Sequence, residues 1–315
     1  MIVTVTLNAA LDRTVTVPNF QVGNRSRATS SLRQPGGKGV NVARALKRMN
    51  QPVIATGLAG GRVGTYIIEE LTSEGILNDF VRIQAESRTS TAVIDPTNGQ
   101  QTEINELGPE VQPAELDVLI DKVRYLSRGA DVFVLAGSLP PGVPSDFYAA
   151  LLRELRGAGL VSALDAHGPE LRSGLASEPD VVSPNEREAE EIVGHEFHDE
   201  EDLASGVRAL AEMGPRTALI HRSDGCVAAF ESNGRKGGRV LRGRLSLPEV
   251  VSTVGSGDAF LAGFVCGVYR KRDPEDTLAL AIACGAANTQ RLGAGNLDPA
   301  DVEAYMRQVE LTQIG

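Results

Sequence analysis

The chain has 315 residues, and 31 Lys+Arg against 41 Asp+Glu give it a formal charge of −10. Its 42% hydrophobic and 23% charged residues are those of a globular protein with a sizeable core, which excludes disorder, collagen and a coiled coil. The acidic balance, without a long Lys/Arg block, argues against a nucleic-acid binder, although a few local cations can still hold an anionic substrate.

Short apolar runs at 2–7, 53–58, 132–136, 161–164, 181–183 and 217–221 alternate with amphipathic stretches near 39–50, 64–75, 113–128, 145–157, 185–194 and 200–213. Strands that are apolar throughout suit a parallel sheet covered on both faces. The alternation predicts an α/β fold, a doubly wound and mostly parallel sheet between helices with right-handed crossovers. From 256 to 309 the pattern becomes mostly helical. Two stretches break the rhythm. Residues 13–17 with 26–33, and 89–95 with 101–105 around Pro96-Thr97-Asn98-Gly99, have the look of antiparallel hairpins. They predict a small inserted β-sheet, with lid strands at about 12–34 and 88–106, that covers a site or pairs with another subunit. Two plain surface hairpins are the alternative. No repeat or linker divides the chain, so residues 1–315 are expected to form one domain.

Residues 1–7 carry no basic leader, and no apolar stretch reaches the roughly 18 residues of a membrane span. Cys226, Cys266 and Cys284 are scattered, as reduced core thiols in a cytoplasm would be. Four dispersed histidines argue against a structural zinc site.

Four segments carry chemistry. Ser252-Thr253-Val254-Gly255-Ser256-Gly257-Asp258 runs into an apolar helix, and its glycines let backbone N–H groups approach an anion. Gly255, Ser256 and Gly257 would stabilise a phosphoryl group there, and Asp258 suits a base that removes a hydroxyl proton. Ser256 or Asp258 could equally cap the helix. In Pro35-Gly36-Gly37-Lys38-Gly39-Val40-Asn41, three glycines flank a lysine ahead of another helix, and Asn41 offers donor and acceptor atoms to hydroxyls. The spacing is not that of a Walker A loop. Ser138, in Gly137-Ser138-Leu139-Pro140-Pro141-Gly142, follows an apolar strand, where ligands of open α/β sheets gather. Asn185 and Glu188 share a helix face, as an outer shell for hydrated magnesium or as a capping box.

These segments, in this order, resemble the PfkB family of ribokinase-like carbohydrate kinases across essentially the whole chain. P-G-G-K-G-V-N-V-A at 35–43 and S-T-V-G-S-G-D-A at 252–259 carry the resemblance together. T-L-N-x-A-L-D at 6–12, G-S-L-P-P-G at 137–142 and T-E-I-N at 102–105 are similar to its phosphosugar branch, which includes 1-phosphofructokinase and tagatose-6-phosphate kinase. The resemblance implies an ATP- and magnesium-dependent hexose phosphate kinase, with fructose 1-phosphate as the first-choice acceptor; the alternatives are tagatose 6-phosphate or fructose 6-phosphate as acceptor, then a ribokinase-like sugar or nucleoside kinase, and last a non-catalytic sugar-phosphate sensor. It makes Asp258 the base and gives sugar hydroxyls to Asp12, Gly37 and Asn41, with Lys38 at the same substrate site. Arg88 and Ser138 would meet the sugar's phosphate. Asn185 and Glu188 would organise the nucleotide phosphates and, through water, magnesium. Ser223, Asp224, Gly225 and Asn288 would lie near the nucleotide, and the lid would serve as a homodimer clasp. Three positions depart from the pattern. Ala9 replaces a proline, and Arg222 stands where the nucleotide loop has a glycine. Ala92 stands where a lid lysine is common, with Arg25 or Arg27 as substitutes.

Overall fold

A computed structural model describes residues 1–314. β1 (Ile2–Thr6) leads to β2 (Ala10–Thr16) and β3 (Ser30–Gly36), which runs almost directly into α1 (Lys38–Arg48). Then come β4 (Val53–Gly60), α2 (Gly61–Ser73), the short β5 (Leu77–Asn78) and β6 (Val81–Ile83), the hairpin β7 (Arg88–Asp95) and β8 (Gln100–Asn105), and α3 (Pro113–Ser127). Alternation resumes with β9 (Val132–Ala136), α4 (Phe147–Gly157), β10 (Val161–Asp165), α5 (Gly168–Leu175), β11 (Val181–Val182), α6 (Glu186–Val193) and α7 (Glu200–Glu212). β12 (Thr217–Arg222), β13 (Gly225–Ser232) and β14 (Arg235–Arg244) precede α8 (Ser256–Tyr269), α9 (Pro274–Thr289), α10 (Pro299–Met306) and β15 (Glu310–Gln313).

The main sheet has eleven strands, in the order β15-β14-β13-β12-β11-β10-β9-β1-β4-β5, with β6 also paired to β4. It is parallel from β4 to β12 and antiparallel from β12 to β15. Every residue of β1 and β9 is buried, because side chains pointing either way meet a helical layer. Ile2, Val132 and Val134 join α1, α8 and α9 in one apolar layer. Val3, Val5 and Leu135 join α3, α4 and α7 in the other. Within these layers α8 and α9 are apolar nearly all round, and the glycines of α8 let them pack closely: a β-carbon on Gly263 would lie 2.8 Å from Ala281 Cα.

The second sheet runs β3-β2-β7-β8. Each hairpin is antiparallel, as the sequence predicts, but β2 and β7 join them in parallel, from Ala10↔Arg88 to Thr16↔Ile94. Asp12, Ser90, Ala92, Glu103 and Asn105 lie in register across three strands and line one cavity. The lid's own core is small: Val15, Val17 and Val93 with Phe20. Among the described residues, no helix is long and apolar enough to cross a membrane.

Candidate active site

Two cavities meet at the turn 252–257. The first, of about 640 Å³, lies under the lid and is lined by Asp12, Gly37, Lys38, Asn41, Arg88 and Ser138 together with Ser252 and Val254. The second, of about 350 Å³, is lined by Ser223, Asp224, Gly225, Thr253, Ser256 and Gly257, and its apolar end by Leu245, Leu247, Ile282 and Ala286. The turn is the wall between them.

Asp258, in the first turn of α8 beside this wall, lines neither cavity: it is 7% exposed and accepts a hydrogen bond at 2.8 Å from Nδ2 of Asn41, which lines the first. Burial pushes its carboxyl up to about 7, against the opposing pull of Lys38 and the Asn41 hydrogen bond. Asn41 is aimed by the buried Arg44, whose Nη1 donates to Asn41 Oδ1 (3.3 Å) and to the Ala294 carbonyl (3.0 Å). The Lys38 ammonium pairs with Asp165 at 2.6 Å and stands 3.9 Å from Glu188 Oε1. Burial pulls it down, but Asp165, Glu188 and Asp258 outweigh that and hold it above the usual lysine range.

Gly255, with φ 75°, is the N-cap of α8 and supplies no side-chain cap. The same residue type at φ 101°, Gly37, opens α1. The Ser256 N–H donates to the Thr253 carbonyl at 3.2 Å. This differs from the expected anion hole of Gly255, Ser256 and Gly257, because the turn closes on itself one residue early. The N–H groups of Gly255, Gly257 and Asp258 have no acceptor among the described residues.

Arg88 donates from Nε to the Asn8 carbonyl (3.2 Å) and from Nη1 to the Glu106 carbonyl (3.1 Å). Burial lowers its guanidinium, while Asp12 and Glu106 support the charge. Asn8 Nδ2 in turn donates to Ser138 Oγ at 3.1 Å, so one asparagine ties together the two groups expected at the acceptor's phosphate. Asp12 faces Arg88 and Arg44, yet burial raises its carboxyl to about 6. Arg25 and Arg27 lie exposed on the loop before β3 and line neither cavity.

Asn185 and Glu188 form a reciprocal capping box on α6, with Asn185 Oδ1 accepting from Glu188 N at 2.9 Å and Glu188 Oε2 from Asn185 N at 3.0 Å. The capping alternative therefore holds, and only Glu188 Oε1 faces Lys38. Asn288 is fully buried and lines neither cavity. Its Nδ2 braces the Val254 carbonyl at 2.8 Å, behind the turn. Arg222 is held between Glu186 (3.4 Å) and Asp224 (3.6 Å) at the rim of the second cavity.

The sequence pattern of the pfkB family carbohydrate kinases matches residues 5–301. The chain belongs to the PfkB family. Over 319 aligned residues, covering all of both chains, it is 30% identical to the tagatose-6-phosphate kinase of Staphylococcus epidermidis. A solved Thermotoga maritima protein, named a possible 1-phosphofructokinase, is 26% identical with a TM-score of 0.88 and full coverage of both chains. Escherichia coli phosphofructokinase-2, solved with substrates and products, shares the fold: TM-score 0.89 at 24% identity, over 97% of this chain and 98% of that one. This PfkB chain is a carbohydrate kinase, hence a phosphotransferase, and its architecture is ribokinase-like.

Several residues of this PfkB site escape sequence reasoning. Asp165, which pairs with Lys38 of the first cavity, and His221, which lines the second, lie at the carboxyl ends of β10 and β12, so strand-end position was a usable signal. Arg44 and Arg242 offered none. Both are buried cations, and Arg242 is fully enclosed, holding Asp224 Oδ2 at 2.5 Å and Glu200 at 3.2 Å.

Proposed function

We propose that this PfkB chain transfers the γ-phosphoryl group of ATP to a hexose phosphate, with fructose 1-phosphate as acceptor and fructose 1,6-bisphosphate as product. One observation carries this assignment: the buried Asp258 carboxylate, in the first turn of a helix whose bare N-terminus borders the second cavity, is hydrogen-bonded to Asn41 in the wall of the lidded polar cavity. In its anionic form Asp258 takes the proton of the acceptor hydroxyl as that oxygen bonds to the γ-phosphorus, and ADP leaves on the far side. The unpaired N–H groups of Gly255, Gly257 and Asp258 face the charge that develops. Arg88, Asn8 and Ser138 form the cradle for the phosphate already on the sugar. Asp12, Gly37, Lys38 and Asn41 surround its hydroxyls.

Among the described residues, no group of three or more His, Cys, Asp or Glu side chains is placed to chelate a metal. Of the α6 capping pair, Glu188 Oε1 is left outside the cap, a donor that fits hydrated magnesium held mainly by the nucleotide's phosphates. Magnesium would supply charge neutralisation there. Ser223, Asp224 and Gly225 would border the ribose, and Asn185 with Asn288 would act from behind through the α6 cap and the turn. Exposed Leu32 and Ile104 on the lid strands support a homodimer joined through the lid. Three buried free cysteines support a cytoplasmic setting.

The 30% identity to a tagatose-6-phosphate kinase over the whole chain favours tagatose 6-phosphate as a second reading of the acceptor. Initial rates with fructose 1-phosphate, fructose 6-phosphate, tagatose 6-phosphate, fructose and ribose decide between them. Arg88→Ala should raise KM for the phosphorylated acceptor by about thirtyfold, or about 2 kcal/mol, with little change for ATP. An equal loss with unphosphorylated fructose would remove Arg88 from the phosphate cradle.

A further inference from the structure

His221 is the one titratable side chain of the second cavity's wall that the proposed chemistry leaves unused and that has no protein partner. It lies one residue before the end of β12, with its backbone pinned beside the α6 cap through the Pro184 carbonyl at 3.3 Å and the bridge to Asn185. Its ring packs at a tilt on Phe260, 5.6 Å between centroids and one helical turn below Gly257. A β-carbon on Gly257 would lie 3.1 Å from His221 Cε1 and 3.3 Å from Nε2, so the Cε1–Nε2 edge borders the backbone whose N–H faces the phosphoryl site. Among the described residues no group hydrogen-bonds either ring nitrogen. A partly buried imidazole without partners is a costly arrangement unless a ligand completes it.

We infer that the His221 ring donates a hydrogen bond to the β-phosphate of the bound nucleotide, the group that stays with the leaving ADP. This rests on the kinase assignment above and adds a nucleotide contact to it. The direction follows from position. Gly257 and His221 both line the nucleotide cavity, whereas Asn41, the hydrogen-bond partner of Asp258, lines the acceptor cavity, so the ring lies on the leaving-group side of the turn. Burial, with Lys38 adding to it and Asp165 opposing, holds the free imidazole neutral, near a pKa of 4. A neutral imidazole has one N–H to donate and one bare nitrogen. It can therefore contact the β-phosphate without a fixed positive charge that would hold the product. Arg222, the nearest basic side chain in sequence, is committed to Glu186 and Asp224.

The test is calorimetric titration of ADP and AMP into the full chain, its His221→Phe variant and its His221→Gln variant, with melting curves for all three. Phenylalanine keeps the packing on Phe260 and removes the donor; glutamine restores a donor. His221→Phe should weaken ADP about tenfold or more and leave AMP within twofold, and glutamine should recover part of the loss. Unchanged ADP affinity in a folded His221→Phe variant would overturn the contact, as would equal weakening of AMP and ADP, which would make the ring a wall of the base or ribose pocket. If the wild type bound ADP but phosphorylated no hexose phosphate, the kinase assignment would fall while the titrations still decided the contact. No ADP binding by the wild type would overturn both.

Discussion

The turns at 35–37 and 255–257 each end in a helix that starts on a positive-φ or strained glycine with no side-chain cap, whereas α6, α7, α9 and α10 are closed by Asn185, Asp199, Asp273 and Asp298. Glycine serves different ends at different positions of these turns: at Gly255, as in the first turn, the protein fills the space, since a β-carbon there would lie 2.6 Å from Ala294 Cα. At Gly36 a β-carbon would overlap the Asp12 carboxylate, and at Gly37 it would lie 2.7 Å from Thr6 Cγ2. The protein itself fills that space. At Gly257 the nearest neighbour is only the edge of the His221 ring, with the cavity beyond. A glycine in a motif can thus mark a place where the chain packs against itself or one kept clear for a ligand, and the two call for different mutational signatures.

The strongest way to break this contrast is at the bond joining the turns. Asp258→Asn keeps the partner for Asn41 but cannot accept a proton, so kcat should fall about a hundredfold or more while ADP binding survives. Near-normal turnover by a folded variant would mean that the turns meet for packing alone. The pH profile sharpens the same point. Because burial raises Asp258 to about 7, the active carboxylate is lost as pH falls through that value, and kcat/KM should drop by about tenfold per pH unit below it. Lys38 favours the anion, so Lys38→Met should move this limb to higher pH. A profile flat down to about pH 5 would exclude Asp258 as the base. The smallest effects separate the glycines. Gly36→Ala should displace Asp12 and raise the acceptor KM by roughly tenfold with ATP little changed, while Gly257→Ala should raise the ATP KM by only a few-fold, set by how far His221 yields. Parallel changes in both parameters for both variants would dissolve the distinction.

The centre of the sheet was legible because β1, β9 and β10 are apolar on both faces, and the lid hairpins because they interrupt the βα alternation. The antiparallel edge was not. β14 reads Arg-Lys-Gly-Gly-Arg-Val-Leu-Arg-Gly-Arg, and a strand so basic resembles a solvated loop until Arg242 is seen to be neutralised by Asp224 and Glu200. β15 has one partner strand and only four residues, and α5 only eight, too little periodicity to detect. At the site, the two glycine signatures located both cavities. What they could not show was orientation: that Asn288 braces Val254 from behind, that Asn185 spends its side-chain oxygen on a cap, or that Arg44 aims Asn41. Each depends on contacts made far along the chain.

One residue, Gly37, separates the last lid residue of β3 from the first residue of α1, which carries Lys38 and Asn41. The seven-residue lid strand is about 23 Å long at roughly 3.3 Å per residue, and it meets that helix with almost no slack. Lid and helix form a lever with a long outer arm and a short inner one. A swing at the lid's tip would therefore be geared down to a small, stiff displacement at Asn41, and so at its partner Asp258. On the kinase reading proposed above, an acceptor that draws the lid inward would thereby be felt at the proton-accepting group through Asn41.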